Sequence, residues 1–132
     1  MDFLLDTSIA IHLRDSTDLV DRLTGLGQRP SLSAISRVEL ENGVYRDPAW
    51  AAVRRATLDA MLGEMATIEF GEDAIAAYRM IVAAIGYSRR KVLDRMIAAT
   101  AIVHDLTLVT ANGADFADIP NLKLETWETP PP

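Results

Sequence analysis

Phe3-Leu4-Leu5-Asp6-Thr7-Ser8 places three apolar residues, an acid and two hydroxyls at the start of the chain. A short apolar run that stops at a polar cluster is the pattern of a strand buried on both faces. Thr7 or Ser8 is placed to cap a helix that continues through Leu13. Asp6 then stands directly past the end of a strand, at the mouth of a strand-to-helix turn.

The same alternation continues along the chain. Asp18 to Leu26 reads as a second helix, Pro30 to Ala34 as a weak strand, and Ser36-Arg37-Val38-Glu39 as the opening of a third helix. Asp47-Pro48 stops that helix and starts the next, because Asp caps and Pro suits a first helical turn. Ala49 to Met65 is helical by composition, Thr67 to Phe70 a strand, and Glu72 to Ile85 an Ala-rich helix ended by Gly86. A basic loop leads into a helix over Val92 to His104. Leu106-Thr107-Leu108-Val109-Thr110 is the clearest strand, and Leu122 to Glu125 a last short one. The tail 129–132, Thr129-Pro130-Pro131-Pro132, can continue neither element and is expected to be loose. Strands alternating with helices imply an α/β fold with a central parallel sheet covered by helices on both faces. Ligands of such folds bind beyond the carboxyl ends of the strands.

Composition narrows the chemistry. A chain of 132 residues fits a single domain, 1–132, with a core that needs no staples. The absence of cysteine excludes disulfides and thiolate zinc sites. His12 and His104 are too few for a histidine cage, so any metal must rest on carboxylates. The N-terminus has no basic flank of a secretion signal, and no apolar run approaches the ~20 residues of a membrane span; a soluble, cytoplasmic protein with no membrane partner is expected. The net charge of −6 disfavours adhesion to nucleic acid by charge alone. Eleven of the thirteen basic residues are arginine, the side chain best shaped for phosphate, and Arg89-Arg90-Lys91 form a local run with Arg95 four positions on. Such a run is either a solvated loop or an RNA-binding patch.

Four acids share one kind of topological position. Asp6 follows a strand, Asp115 lies in the loop after the strand ending near Thr110, and Glu39 and Asp94 open helices. Each has an ordinary explanation. Glu39 completes a capping box with Ser36, Asp94 suits the positive end of a helix dipole, Asp6 sits in a plain turn, and Asp115 in a polar loop. Together they suggest a divalent-metal site, because oxygen-only ligands suit Mg²⁺ or Mn²⁺ and acid clusters of this kind cut phosphodiester bonds.

The ordered set of segments resembles the PIN-domain ribonucleases. Leu4-Leu5-Asp6-Thr7-Ser8 looks like their opening motif, and Ser36 to Val44, with Glu39, resembles the second. Asp94-Arg95-Met96-Ile97-Ala98-Ala99-Thr100-Ala101 is similar to the third, and Leu106 to Asn112 with Asp115-Phe116 and Glu125-Thr126-Trp127 to the closing segment. Within that family the length and the Glu-Leu-x-x-Gly form are most similar to VapC-type toxins of bacterial toxin–antitoxin pairs. The resemblance implies a PIN-like α/β/α sandwich and a metal-dependent endoribonuclease, the toxic component of a type II system. Catalysis would rest on Asp6, Glu39, Asp94 and Asp115. Asp6 and Asp94 would hold Mg²⁺ or Mn²⁺, with Glu39 and Asp115 orienting water; Ser8 and Asn112 are secondary candidates, and a hydroxyl contact from Ser8 or Thr7 to metal-bound water or to Asp6 is the alternative to their capping role. Many family members carry the fourth acid at the position of Asn112, so Asn112 and Asp115 compete for that role.

The partners implied are an RNA substrate, a VapB-type antitoxin whose basic tail covers the acidic cleft, and DNA only through that antitoxin. A homodimer and a toxin–antitoxin hetero-oligomer are expected, with Ile11, Leu19 and Leu23 as interface candidates unless they pack in the core. Competing readings are weaker. A haloacid-dehalogenase-type phosphatase needs a second Asp where Ser8 stands, and a dinucleotide site needs a glycine-rich turn after the first strand. A metal-independent ribonuclease would use His12 and His104. The main alternative is a PIN-fold interaction module that has lost its chemistry.

Overall fold

The computed structural model describes residues 3–15, 25 and 30–127. Five strands form one all-parallel sheet: β1 (Phe3–Leu5), β2 (Pro30–Ser33), β3 (Ala66–Ile68), β4 (Thr107–Thr110) and β5 (Lys123–Thr126). Their order across the sheet is β3-β2-β1-β4-β5. Leu5 is in register with Leu32 on one side and Val109 on the other. The chain thus builds outward from β1 in one direction and then crosses back to add β4 on the other side. That reversal creates a crevice at the carboxyl ends of β1 and β4, which is where α/β sheets bind ligands.

Among the described residues, five helices cover the sheet: α1 (Thr7–Asp15), α2 (Ala34–Tyr45), α3 (Ala51–Glu64), α4 (Glu72–Ile85) and α5 (Val92–Val103). Short 3-10 turns occupy Pro48–Trp50, Arg89–Lys91 and Gly113–Asp115. Alternation along β1 divides the core. Phe3 and Leu5 pack with Ile9, Leu13, Leu40, Val44 and Leu58 from α1, α2 and α3. Leu4 points to the other face and packs with Ile81 of α4 and Ile97, Ala98 and Ala101 of α5. Successive strand side chains face opposite layers, so Leu4-Leu5 of β1 and Leu108-Val109 of β4 each join both halves of a helix–sheet–helix sandwich. The small residues of α5 let that helix lie close to the sheet, and Asp94 at its start is carried in with it.

The α4 boundaries agree with the sequence reading, and most others shift by one or two residues. The third predicted helix begins earlier than Ser36: Ser33 is the N-cap of α2, and its Oγ accepts from the Ser36 N–H at 3.0 Å. Ser36 therefore lies one turn inside the helix. The second expected helix, 18–26, falls outside the described residues except at position 25, as do Leu19, Leu23 and the tail 129–132. Ile11 is 38% exposed and faces outward from α1 instead of entering the core. No helix among the described residues is long and apolar enough to cross a membrane.

Candidate active site

The crevice at the ends of β1 and β4 is built from hydroxyls and carboxylates. Asp6 leaves β1 with its N–H bonded to the Val109 carbonyl and its own carbonyl accepting from Ile9 and Ala10, so strand and helix meet at this one residue. Its side chain is only 5% exposed. Burial of a carboxylate requires compensating donors, and two hydroxyls supply them. Thr110 Oγ1 donates to Asp6 Oδ2 at 2.8 Å, and Ser8 Oγ donates to the same oxygen at 2.9 Å. Both hydroxyls are held in turn by backbone: the Asn112 N–H donates to Thr110 Oγ1 and the Ala111 N–H to Ser8 Oγ. Oδ2 is thereby engaged twice, and Oδ1 is the oxygen left for a ligand.

Glu39 is held by an analogous clamp. Thr7 Oγ1 donates to Glu39 Oε1 at 2.7 Å and lies 2.9 Å from Ser36 Oγ. The capping-box expectation for Ser36 and Glu39 fails on these contacts, because Ser33 performs the capping and Glu39 reaches across to α1. The capping role expected of Thr7 and Ser8 fails likewise, since their hydroxyls serve the two acids. Arg55 of α3 bridges Glu41 of α2 and Asp59 of its own helix, tying down the helix that carries Glu39. The Arg55 guanidinium, hydrogen-bonded to Glu41, holds that carboxyl below its ordinary value.

Asp94 stands in the first turn of α5 and Asp115 at the end of the 3-10 turn after β4. Burial first, and then the charges of Asp6, Asp115 and Glu39, push the Asp94 carboxyl up to about 6, while Lys91 acts in the opposite direction. The other three sequence-predicted acids therefore lie near enough to Asp94 for their charges to reach it. Asn112 contributes its backbone: its N–H meets Thr110, and its carbonyl accepts from the Asp115 N–H. Among the described residues, no three acidic or histidine side chains are drawn together into a ready-made metal cage; the carboxylates line the crevice without converging on one point.

Thr110 is the site residue that the sequence reading did not single out, although its place at the end of the clearest strand was visible. Arg95 departs from expectation in the other direction. It is 4% exposed and donates through Nη1 to the Gly86 carbonyl, so it belongs to the interior and not to the basic run. Arg89 and Arg90 do face solvent. His104 sits at the far end of α5 from Asp94, ten residues and so ~15 Å away along the axis. That separation removes it from the Asp94 end of the helix.

A parallel sheet with paired carboxylates at its topological switch point defines a class of acid-site α/β domains. The sequence profile of the PIN domain matches residues 3–122, and the chain belongs to that family. It is 29% identical to the protein named Ribonuclease VapC2 of Rickettsia felis over 137 aligned positions, covering 97% of this chain and 99% of that one. The structure of VapBC2 from Rickettsia felis bound to a DNA fragment from its promoter matches with a TM-score of 0.87 at 27% identity, over 97% of this chain and 100% of that one. DNA-bound VapBC from Salmonella typhimurium matches with a TM-score of 0.85 at 23% identity, over 96% and 98% of the two chains, a likeness of fold.

Proposed function

We propose that this chain is a Mg²⁺- or Mn²⁺-dependent endoribonuclease and the toxin of a type II toxin–antitoxin pair. The observation that carries the reading is the crevice in which Asp94 is raised to about 6 by burial and by Asp6, Asp115 and Glu39. Like charges assembled at that cost call for a cation, and all-carboxylate donors suit a hard one. The family membership and the relative named as a ribonuclease support the same direction.

Asp6, through Oδ1, and Asp94 would hold the ion. When bound it would lower the pKa of a coordinated water and offset charge developing at phosphorus. The protein's own groups supply the rest. Thr7 occupies Glu39 Oε1, so Oε2 is the oxygen free to take a proton from an attacking water. Asp115, in the 3-10 turn after β4, would orient that water. The hydroxyls of Ser8 and Thr110 fix the Asp6 carboxylate, so no reorganisation is required when substrate arrives. Arg89, Arg90 and Lys91 lie just before α5, where they can take the phosphates that the acids would repel.

A free nuclease of this kind must be restrained. Capture by a small antitoxin with a basic tail fits the acid crevice, since an Arg or Lys there would pair with Asp6, Glu39 and Asp94 in a partly desolvated setting. The similar structures of VapBC2 from Rickettsia felis and VapBC from Salmonella typhimurium are described as DNA-bound, and a similar one from Klebsiella pneumoniae as a toxin–antitoxin complex, which supports an antitoxin partner here. We assign DNA binding to the antitoxin and expect a homodimer in the free state.

The test is to incubate purified protein with total RNA in Mg²⁺, in Mn²⁺ and in chelator, beside Asp6→Asn and Asp94→Asn. Cleavage by the parent with either metal, absent in chelator and in both variants, is the expected result. No cleavage under any condition would leave an inactive PIN-fold interaction module, and metal-independent cleavage would overturn the mechanism. Light scattering and a pull-down with the product of a neighbouring small reading frame test the partners.

A further inference from the structure

The acid crevice by itself repels the polyanion it would cut, so a strand of RNA must be gripped from outside it. The chain leading into α5 offers such a grip. Gly86 ends α4 with φ of 86°, a left-handed backbone that turns the chain outward at no steric cost. Tyr87 follows with 70% of its surface exposed, beside a 3-10 turn whose Arg89 and Arg90 also face solvent. Leu93, 48% exposed, continues the strip up to Asp94.

Two observations separate this segment from an ordinary loop. Buried Arg95 donates to the Gly86 carbonyl at 2.6 Å, tying the root of the turn to the helix that carries Asp94. Burying a guanidinium is costly unless it makes such bonds, and its use here holds the outgoing ring on an anchored base. The positive charge is also local, since the chain as a whole is at −6. From Tyr87 to Asp94 the chain passes through two extended residues, one 3-10 turn and the start of a helix, a path of at most roughly 20 Å. A few nucleotides can bridge it.

We propose that Tyr87 is a stacking platform for an unpaired base of the RNA, with Arg89 and Arg90 holding the adjoining phosphates. This rests on the ribonuclease reading above and adds to it the residue that receives an unpaired base. An aromatic face accepts any base, and recognition of RNA by exposed rings is confined to unpaired nucleotides.

Binding is measured by fluorescence anisotropy in the Asp94→Asn background, which prevents cleavage, with a labelled single-stranded oligoribonucleotide. Tyr87→Ala weakens binding roughly ten-fold, and Tyr87→Phe retains it because the ring remains. The salt dependence of binding is unchanged by Tyr87→Ala, whereas Arg89→Ala and Arg90→Ala each flatten it by about one unit of slope. An oligonucleotide of equal charge with abasic positions binds equally well with Tyr87 intact and in the Tyr87→Ala variant. Equal loss for the base-containing and abasic strands would overturn the proposal, as would conversion of a dimer to a monomer by Tyr87→Ala in light scattering. A parent that binds and cleaves RNA no better than its Tyr87→Ala variant defeats the stacking site alone. A parent that neither binds nor cleaves RNA defeats the ribonuclease reading and this site together.

Discussion

Thr110 Oγ1 donates to Asp6 Oδ2 across 2.8 Å, joining the ends of two adjacent parallel strands through residues 104 positions apart in sequence. Thr110 is fully buried and accepts in turn from the Asn112 N–H, so strand β4, the loop after it and the acid of β1 are locked as one unit. A carboxylate held in this way presents one oxygen to the crevice at a fixed angle.

Replacing Thr110 by Val keeps the shape and removes the hydroxyl. Buried Asp6 loses one donor and the Asn112 N–H its acceptor, a cost of about 1–3 kcal/mol. The variant should fold, melt several degrees lower, bind Mn²⁺ more weakly by calorimetry and cleave RNA with reduced kcat. Thr110→Ser restores the hydroxyl and should recover both binding and rate. Unchanged Mn²⁺ affinity in Thr110→Val would show that the bond is structural only.

The raised Asp94 carboxyl makes a prediction about pH. Its value in the fold is about 6 against 3.8 unperturbed, so between those values the folded state binds more protons than the unfolded one. Stability of the metal-free protein therefore falls from this source as pH rises from about 4 to about 6, and levels off above. Asp94→Asn should remove that decline in chemical-denaturation curves recorded in chelator. Metal affinity should move the other way, tightening by about ten-fold per pH unit up to about 6 as the competing proton leaves. A flat affinity over that range would mean that Asp94 is not a ligand.

Asp115 and Asn112 are separable by experiment. Asp115 acts on Asp94 through its charge, whereas Asn112 is seen to act through its backbone. Asp115→Asn should lower the cleavage rate at saturating Mg²⁺ by roughly a hundred-fold, a loss typical of a group acting directly on the reacting water. Asn112→Ala should have only a mild effect. The reverse ranking would move the fourth ligand to the Asn112 side chain.

Gly113 is required for packing. A Cβ built there would overlap Thr126 Oγ1 of β5. Gly113→Ala must turn the Thr126 side chain away or displace the 3-10 turn that carries Asp115, at a cost of about 1–3 kcal/mol. Adding Thr126→Ala opens the space, and the double variant should regain most of the lost melting temperature. Failure of that rescue would place the strain elsewhere.

The order of strands and helices was legible because it depends on neighbours in sequence. Phe3-Leu4-Leu5 reads as a buried strand from three residues, and α4 reads from its Ala-rich run and the glycine that ends it. Asp6, Asp94 and Asp115 were legible for the same reason, since each follows a strand or opens a helix; Glu39, expected in a first turn, stands in the second turn of α2, because that helix starts at Ala34. What each polar side chain does was decided only by folding. Ser33 and Ser36 are equally good caps by type, and the start of α2 at Ala34 gave the role to Ser33. Thr7 and Ser8 are capping residues by every local rule, yet Glu39 and Asp6 lie close enough to take their hydroxyls. Arg95 continues a basic run in sequence, but its position on α5 points it inward to the Gly86 carbonyl. The physical reason is one of range. Periodicity and capping are set within about four residues along the chain, whereas a hydroxyl or guanidinium bonds whatever acceptor the fold brings within about 3 Å of it. The strand order β3-β2-β1-β4-β5 brought Asp6 and Thr110 together.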